Sequence, residues 1–382
     1  MDRRTGLPVV GMVGGGQLAR MTQQAAIPLG LTLRVLSARP DDGAALVTPQ
    51  TVLGEHTSYP DLTGFAAGCD VVTFDHEHVP TALVEKLAAD GHTVYPSAGA
   101  LVHAQDKLIM RERLAALGVP VPRWAPAADA AAVVAFGEEV GWPLVAKAAR
   151  GGYDGKGVWV LDSAADADDL LAHGVPLLLE EKVPLRRELS ALVARSPFGQ
   201  VAAWPVVETV QRDGVCVEVL APAPGLAAAN ADTHELAITL ADRLDVVGVL
   251  AVELFETHTG RLLVNELAMR PHNSGHWTIE GSRTSQFEQH LRAVLDYPLG
   301  VTEMTAPVAV MANVLGGEPG GPSLDERLHH LFAADPAIKV HLYGKQVRPG
   351  RKIAHVTALG DDMRTVRERA ARAARYLRDG HS

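Results

Sequence analysis

The sequence predicts an α/β protein (α+β overall) built from three domains, and three observations lead to this fold class. In the first hundred residues short apolar runs alternate with helical stretches, which is typical of a parallel sheet with crossover helices. From about 106 to 300 the predicted strands are longer and more frequent. A chain of 382 residues also exceeds one ordinary domain. We therefore expect domains at 1–105, 106–300 and 301–382.

Each element of the first domain follows from its hydrophobic pattern. Runs of apolar residues bounded by turn residues predict strands, and apolar residues at helical spacing predict helices. We expect strands at 8–13, 31–36 and 70–74 and helices at 17–26 and 82–89, before a turn-rich boundary at 95–99.

The same patterns continue through the other two domains. In the middle domain we expect a helix at 106–117, a helix in the alanine-rich stretch 125–135, and strands at 144–147, 158–161, 177–182, 247–255 and 262–267. In the third domain we expect a strand at 308–314, a loop at 316–322 and helices at 324–332 and 364–377.

Composition excludes several classes of protein. The chain is 47% apolar and 21% charged, so it can bury a core, and its net charge of −10 argues against broad nucleic-acid or acidic-membrane binding. Cys69 and Cys216 lie far apart without metal-ligand spacing, which fits a reducing cytoplasm. No window predicts a membrane span. Only eight of the 35 basic residues are lysines, so each lysine is a candidate for a specific role.

A first glycine-rich segment, 14–19, follows a predicted strand and opens a predicted helix. It matches the Gly-x-Gly-x-x-Ala pattern in which helix N-terminal amides hold a phosphate. No acid for a ribose follows the second strand, whereas Arg39 would suit NADP. An NADP oxidoreductase and a ligand-free tight turn both remain open on this motif alone.

A second glycine-rich segment, 151–157, comes directly after the strand that ends in Lys147. Its four glycines permit positive φ angles and close backbone approach, which suits a loop that folds over phosphates. A plain hairpin turn is the alternative, but such a turn needs neither so many glycines nor a flanking lysine.

Two glutamates are predicted to face each other on a hairpin. If the turn is regular and centred between Thr259 and Gly260, Glu253 lies opposite Glu266. Like charges in that position destabilise a sheet unless a cation lies between them. With the neighbouring Asn265, they are the oxygen ligands that Mg²⁺ (or Mn²⁺) shared with a nucleotide prefers. Two solvated surface acids are the alternative.

Two further segments carry polar and basic groups suited to anions. Residues 270–278 combine Arg270, two imidazoles and several hydrogen-bonding side chains. Residues 343–352 form a basic cluster that could grip a phosphate monoester, although such clusters are often only solvated surface.

These segments, in this order, resemble the ATP-grasp superfamily and, within it, the family of ATP-dependent N5-carboxyaminoimidazole ribonucleotide synthases. The resemblance runs from about 11 to 356, and its most specific parts are 151–157, 180–188, 265–266 and 270–288. It implies an ATP-grasp fold with an N-terminal Rossmann-like domain, a lid subdomain at about 120–185 and a small C-terminal domain that completes the substrate site.

The resemblance also implies the residues that bind ATP and metal. The ATP set would be Lys107, Lys147, Gly152, Tyr153, Asp154, Gly155, Lys156, Gly157, Val158, Glu180, Glu181, Lys182, Val183, Glu188, Gln211, Asn265 and Glu266, with Glu253 and Glu266 holding Mg²⁺. Gln211 stands where many family members carry histidine, which puts that contact in doubt.

For the second substrate, the resemblance implies 5-aminoimidazole ribonucleotide, which is carboxylated with bicarbonate through carboxyphosphate in purine (IMP) biosynthesis. Its site would include Gln17, Leu18, Glu77, Tyr153, His272, Asn273, Lys345, Arg351 and Lys352. Asp154, Arg270, His272 and Lys345 would act in catalysis, with Asp154 the first choice for the group that orients or deprotonates the amine. A homodimer, functional coupling to the mutase that uses the product, and a cytoplasmic location would follow.

The resemblance leaves one rival within the superfamily, a formate-dependent glycinamide ribonucleotide transformylase or another carboxylate–amine ligase. The sequence 272–277 distinguishes the two families. The NADP oxidoreductase is the rival outside it, but it leaves Glu253, Glu266 and the second glycine segment unexplained.

Overall fold

The computed structural model of the protein describes residues 1–152, 155–172, 174–226, 230–318 and 320–381. Its strands are β1 Val9–Val13, β2 Thr32–Ser37, β3 Gln50–Leu53, β4 Val71–Phe74, β5 Trp124–Ala127, β6 Leu144–Ala148, β7 Val158–Leu161, β8 Leu177–Glu181, β9 Leu185–Arg195, β10 Val201–Ala203, β11 Val207–Arg212, β12 Val215–Ala221, β13 Gly248–Thr257, β14 Leu262–Ala268, β15 Val308–Leu315, β16 Lys339–Leu342 and β17 Lys352–Gly360. Its α-helices are α1 Gln17–Ala26, α2 Tyr59–Ala66, α3 Thr81–Ala89, α4 Ala98–Gln105, α5 Lys107–Ala116, α6 Ala130–Val140, α7 Asp168–Ala172, α8 Asn230–Arg243, α9 Thr278–Gly281, α10 Gln286–Val294, α11 Leu324–Ala334 and α12 Met363–Asp379.

The N-terminal sheet confirms the parallel arrangement expected from the alternating pattern. Its order is β3-β2-β1-β4, and every pair in it is parallel. β1 and β4 are buried along their whole length, because helices cover both faces of such a sheet. The carboxyl ends of β1 and β4 therefore meet at one edge, where the first glycine-rich segment begins.

A second, antiparallel sheet has the order β5-β8-β6-β7. The prediction of one helix over 125–135 is wrong here, since its first part forms β5. Pro126 lacks an amide hydrogen and is tolerated because β5 is an edge strand. The helix starts only after Asp129, whose side chain accepts a hydrogen bond from the Ala132 amide at 2.9 Å.

The largest sheet has nine strands in the order β14-β13-β9-β11-β12-β15-β17-β16, with β10 paired to β9. β15, β17 and β16 belong to the predicted third domain, yet they continue the sheet of the middle segment through the pairing of β12 with β15. α12 covers them with buried Val366, Ala370 and Leu377. The division of the chain at 105 and 300 stays a prediction.

None of the described helices is both long and apolar enough to span a membrane.

Candidate active site

One large cavity, of about 1360 Å³, lies where the three sheets approach one another. Its wall includes the first glycine-rich segment, the strand ends that carry Lys147 and Glu180, and the hairpin of β13 and β14. Because separate parts of the chain line one continuous space, two substrates can be held side by side in it.

The paired glutamates are confirmed, but the hairpin that carries them is not regular. Phe255 pairs with Leu263, one residue away from the partner that a regular hairpin would give it. A β-bulge then inserts Asn265 as an extra residue and restores the pairing of Glu253 with Glu266. The bulge therefore both opposes the two carboxylates and turns Asn265 into the site.

Asn265 belongs to a closed ring of four polar residues, the Arg111 ring, which we define as Arg111, Glu180, Lys147 and Asn265. The Lys147 ammonium donates to Asn265 Oδ1 at 2.7 Å and lies 2.9 Å from Glu180 Oε2. Arg111 Nε donates to Glu180 Oε1 at 2.6 Å, and its Nη2 donates to the Asn265 carbonyl at 2.7 Å. Burial raises the pKa of Glu180, but the charges of Lys147 and Arg111 outweigh burial and hold it below its usual value.

Sequence reasoning missed Arg111, although a signal was present. Arg111 lies four residues after Lys107 on α5, so both side chains share the helix face that borders the site. Arginine is abundant in this chain, so a single arginine is a weaker signal than a lysine.

Lys107 and the second glycine-rich segment lie beside Glu266. Lys107 Nζ is 3.7 Å from Glu266 Oε1 and donates to the Gly151 carbonyl at 3.4 Å. Gly151, Gly152, Gly155 and Gly157 all have positive φ angles, as the predicted loop requires. Gly152, Gly155 and Val158 line the cavity. Tyr153 and Asp154, predicted ligands of this loop, lie outside the described residues.

Glu180 and Glu181 are the last residues of β8, and Lys182 and Val183 follow it. All four line the cavity. The resemblance places Glu180 among the ATP-binding residues, but its carboxylate is turned onto Arg111 and Lys147. Glu181 is paired with Arg123, whose backbone amide and Nε donate to it at 3.0 and 2.9 Å. The carboxylates of Glu180 and Glu181 are therefore both bound to basic side chains. The backbone that leads into Val183 also borders the cavity.

Glu188 on β9 and Gln211 on β11 line the same wall, and their side chains form a hydrogen bond. Burial and the nearby negative charge of Glu253 raise the pKa of Glu188 to about 7, although Lys147 and Gln211 act in the opposite direction. Gln211 therefore contacts Glu188 as a neutral hydrogen-bond donor.

His272 connects the glutamate pair to the polar segment 270–278. Its Nε2 lies 3.1 Å from Glu253 Oε1, and its Nδ1 lies 2.8 Å from Ser274 Oγ. The buried Gln286 side chain holds the His272 amide and carbonyl at 2.8 and 2.7 Å. Burial raises the pKa of Glu253, but the hydrogen bond and charge of His272 outweigh it and keep the pKa below its usual value. Asn273 lines the cavity next to His272.

Arg270 and Glu77 form an ion pair across the cavity, with Arg270 Nε 2.8 Å from Glu77 Oε1. They come from the middle and first segments of the chain, and so the pair brings the two predicted sites together. Asp75, two residues before Glu77, was missed by sequence reasoning. Burial raises its pKa to about 6, and its Oδ2 accepts a hydrogen bond from the Gly16 amide at 2.6 Å.

The Asp75 contact occupies one of the amides that the phosphate interpretation of the first glycine-rich segment requires. The amide at the N-terminus of α1 is already bound to a carboxylate of the protein. Arg39, the expected NADP contact, instead pairs with Asp41 through two hydrogen bonds of 2.9 and 2.8 Å.

The basic cluster at 343–352 meets the first segment of the chain. Lys345 Nζ donates a hydrogen bond to Gln17 Oε1. Lys345 and Arg351, together with Arg39 and Arg348, line a smaller cavity of about 120 Å³ at the first glycine-rich segment, whereas Lys352 lines the large one. Arg348 belongs to the predicted basic cluster but was not among the individual residues expected to bind the substrate. The Leu18 side chain is buried in a cluster with Met21, Phe287 and Tyr343.

Comparison with protein families gives three matches in series along the chain. Residues 7–105 match the ribonucleotide synthetase preATP-grasp domain, 112–287 match the ATP-grasp domain, and 309–369 match the phosphoribosylaminoimidazole carboxylase C-terminal domain.

Individual relatives agree with these matches over nearly the whole chain. N5-carboxyaminoimidazole ribonucleotide synthase of Mycobacterium tuberculosis is 64% identical over 98% of this chain and 88% of its own. The crystal structure of the Thermus thermophilus enzyme is 38% identical with a TM-score of 0.87, covering 96% of this chain and 98% of that one. The Aspergillus clavatus enzyme in complex with ADP and 5-aminoimidazole ribonucleotide is 31% identical with a TM-score of 0.87, covering 97% and 98%. The chain belongs to the N5-carboxyaminoimidazole ribonucleotide synthase family, whose members are ATP-grasp ligases of purine biosynthesis.

Proposed function

We propose that this chain carboxylates 5-aminoimidazole ribonucleotide on its exocyclic amine, with ATP and bicarbonate as co-substrates and ADP and phosphate as by-products. The observation that carries the proposal is the single cavity whose one end holds Lys107, Lys147 and the paired glutamates and whose other end holds Glu77 and Gln17. A relative of 31% identity binds ADP and this ribonucleotide together, which supports the same pair of ligands here.

At the ATP end, the two lysines would bind the phosphates and the second glycine-rich segment would close over them. Compact ammonium groups and backbone amides suit phosphate oxygens. The backbone of 181–183, with Lys182, would bind the adenine, and Glu188 the ribose hydroxyls. Glu180 would not contact ATP directly, because one of its oxygens is bound to Lys147 and the other to Arg111. It would instead orient Lys147.

Magnesium fits the donor set at the glutamate pair. Glu253 and Glu266 supply hard oxygen ligands, and the Glu266 side chain is 37% exposed to the cavity. No cluster of three or more acidic, histidine or cysteine side chains suited to a metal occurs in the described parts of the chain, so the nucleotide phosphates would complete the set. When bound, the ion would neutralise phosphoryl charge.

The chemistry needs positioning and charge neutralisation rather than a covalent nucleophile on the protein. A bicarbonate oxygen attacks the γ-phosphorus and the bond to the ADP oxygen breaks, which gives carboxyphosphate. The amine then takes up the carboxyl group, directly or as carbon dioxide, and phosphate leaves with one amine proton lost. Lys107, Lys147 and Arg270 would stabilise the phosphoryl charge, and the closed loop would exclude water from carboxyphosphate.

Asp154 remains our first choice for the amine contact and Tyr153 for the substrate, as the resemblance implies. His272 is less suited to accept the proton, since its two ring nitrogens are occupied by Glu253 and Ser274. It would instead orient Glu253.

At the ribonucleotide end, Gln17, the Leu18 backbone, Glu77 and Asn273 would surround the substrate. Lys345 and Arg351 would bind its 5′-phosphate in the smaller cavity, with Arg348 adding positive charge. Lys352, in the large cavity, would lie nearer the ring.

We also propose that the protein is a homodimer in the cytoplasm and works with the mutase that consumes the unstable carbamate. These properties fit the family to which the chain belongs.

The test is phosphate release from ATP by purified protein. We expect release only when bicarbonate and 5-aminoimidazole ribonucleotide are both present. Strong turnover with glycinamide ribonucleotide and formate, and none with the proposed pair, would overturn the substrate assignment.

Glu266→Gln tests the metal role in the same assay. We expect turnover to fall by about a thousandfold, because the substitution removes a ligand charge without changing size. Glu303→Gln is the matched control, since Glu303 is 71% exposed and pairs with Arg283 at the surface. Equal turnover of the two variants would refute the assignment.

A further inference from the structure

We infer that Arg111 is a positioning residue of the nucleotide site, whose buried charge keeps Lys147 available to the phosphates of ATP. The inference rests on the proposed function in taking Lys147 as a phosphate ligand. Arg111 itself has no exposed surface and reaches the cavity only through its partners.

In the Arg111 ring, the two oxygens of Glu180 bind different cations. Glu180 presents Oε1 to Arg111 and Oε2 to Lys147, so the two cations share one carboxylate. The same guanidinium holds the carbonyl of Asn265, the extra residue of the β-bulge, while the Asn265 side chain accepts from Lys147. α5, β8, β6 and β14 are thus linked by one closed circuit of contacts.

The charge of the ring gives the functional reason. Arg111 and Lys147 are cations and Glu180 is an anion, so the ring carries one net positive charge at the wall of the cavity. Without Arg111, the charge of Glu180 would fall on Lys147 alone and cancel it. A buried ion pair that loses one member leaves its partner uncompensated, which makes the remaining charge bind its neighbour more strongly.

A purely structural role predicts something different. If Arg111 only filled space and joined elements, a side chain of similar volume would restore the nucleotide site, and the charge of Glu180 would not matter. A double-mutant cycle of Arg111 and Glu180 distinguishes the positioning role from the purely structural role.

The experiment measures ADP affinity by calorimetry, without ribonucleotide or bicarbonate, together with the KM for ATP and kcat. We expect Arg111→Met to weaken ADP binding about tenfold and to raise the KM for ATP similarly, with a smaller change in kcat. In Arg111→Met with Glu180→Gln, we expect ADP affinity to recover at least about threefold relative to Arg111→Met, because Lys147 is released.

Arg111→Lys keeps the charge but cannot bond to Glu180 and Asn265 as a fork, so we expect a loss of only about threefold. Should Arg111→Met fail to fold, Arg111→Gln, which also removes the charge but can still donate a hydrogen bond, decides the question through the same ADP measurement. Arg195→Met is the matched control, since Arg195 is a largely buried arginine at the far end of β9, where it holds Asp245 and the Val246 carbonyl.

Three results would overturn the inference: unchanged ADP affinity in folded Arg111→Met or Arg111→Gln, equal losses in Arg195→Met, or losses that simply add in the double variant. Because ADP binding needs no second substrate, failure of the proposed carboxylation would leave this result intact, and the two failures can be told apart.

Discussion

Two glycine-rich turns border the large cavity, and they use their glycines for different purposes. In the first, residues 14–16, the Gly16 amide donates to Asp75 Oδ2 at 2.6 Å, and a Cβ on Gly14 would lie 1.7 Å from Asp75 Oδ1. In the second, residues 151–157, a Cβ on Gly152 would lie 2.5 Å from the Lys156 carbonyl. No glycine amide in the described part of that second turn donates to a carboxylate.

A glycine pattern thus predicts that another group lies close to the backbone, but it does not identify that group. The first turn packs against an anion that the protein supplies from the end of β4, whereas the second lies beside Lys107 and borders the large cavity. The neighbouring group in the first turn lies 59 residues away, so the local glycine pattern does not contain it.

The largest expected effect separates the turns by stability. Gly14→Ala should destabilise the protein by about 3 kcal/mol or more, because the added Cβ overlaps Asp75 and the φ of +115° disfavours alanine. Gly151→Ala should cost only about 1 kcal/mol, since its φ is +73° and nothing lies within 4 Å of the added Cβ. Urea unfolding of both variants measures the difference.

Gly91→Ala is the control for backbone strain alone. Its φ is +91°, and the added Cβ meets nothing within 4 Å. If Gly14→Ala cost no more than Gly91→Ala, the close packing of Asp75 under the first turn would be disproved.

The second prediction concerns the charge of Asp75. Its pKa is raised to about 6 by burial, so the folded state binds a proton more tightly than the unfolded state, and stability falls as pH rises from about 4 to 6. Asp75→Asn removes this loss and keeps an oxygen for the Gly16 amide. We expect a gain of about 2 kcal/mol at pH 8 and about half as much at pH 5.

Chemical denaturation at the two pH values checks this sign. Asp41→Asn provides the background, since its side chain is 69% exposed. A destabilised Asp75→Asn at pH 8 would mean that the carboxylate charge, rather than its hydrogen bond, holds the first turn.

Local sequence patterns predicted much of this molecule. The hairpin spacing placed Glu253 against Glu266, and Lys147 was correctly placed at the start of the second glycine-rich turn. The helix expected at 106–117 is α5, with the Asp106 side chain capping the Leu108 and Ile109 amides. Each of these features depends on residues close in sequence, so the pattern contains the needed information.

The features that the sequence did not reveal depend on distant partners. Arg111 lies at the site because it binds Glu180 and Asn265, which are 69 and 154 residues away in the sequence. The strands after 300 join the middle sheet through β12, which no local pattern specifies. Residues 125–135 were mispredicted because pairing with β8 overrode the helical preference of alanine.

The smallest expected effect is the response to NADPH. ADP at a hundred times its Kd should stabilise the folded protein by about 3 kcal/mol through mass action, whereas NADPH should add nothing once ADP is bound. The ADP part of NADPH can compete for the second turn, so the informative measurement is the melting temperature with both ligands present. At the first turn the Gly16 amide is bound to Asp75 and Arg39 is paired with Asp41, so both groups that the dinucleotide pattern would use already have partners. A further rise of the melting temperature on adding NADPH to the ADP complex would mean that a carboxylate packed under a glycine turn does not exclude a dinucleotide from that turn.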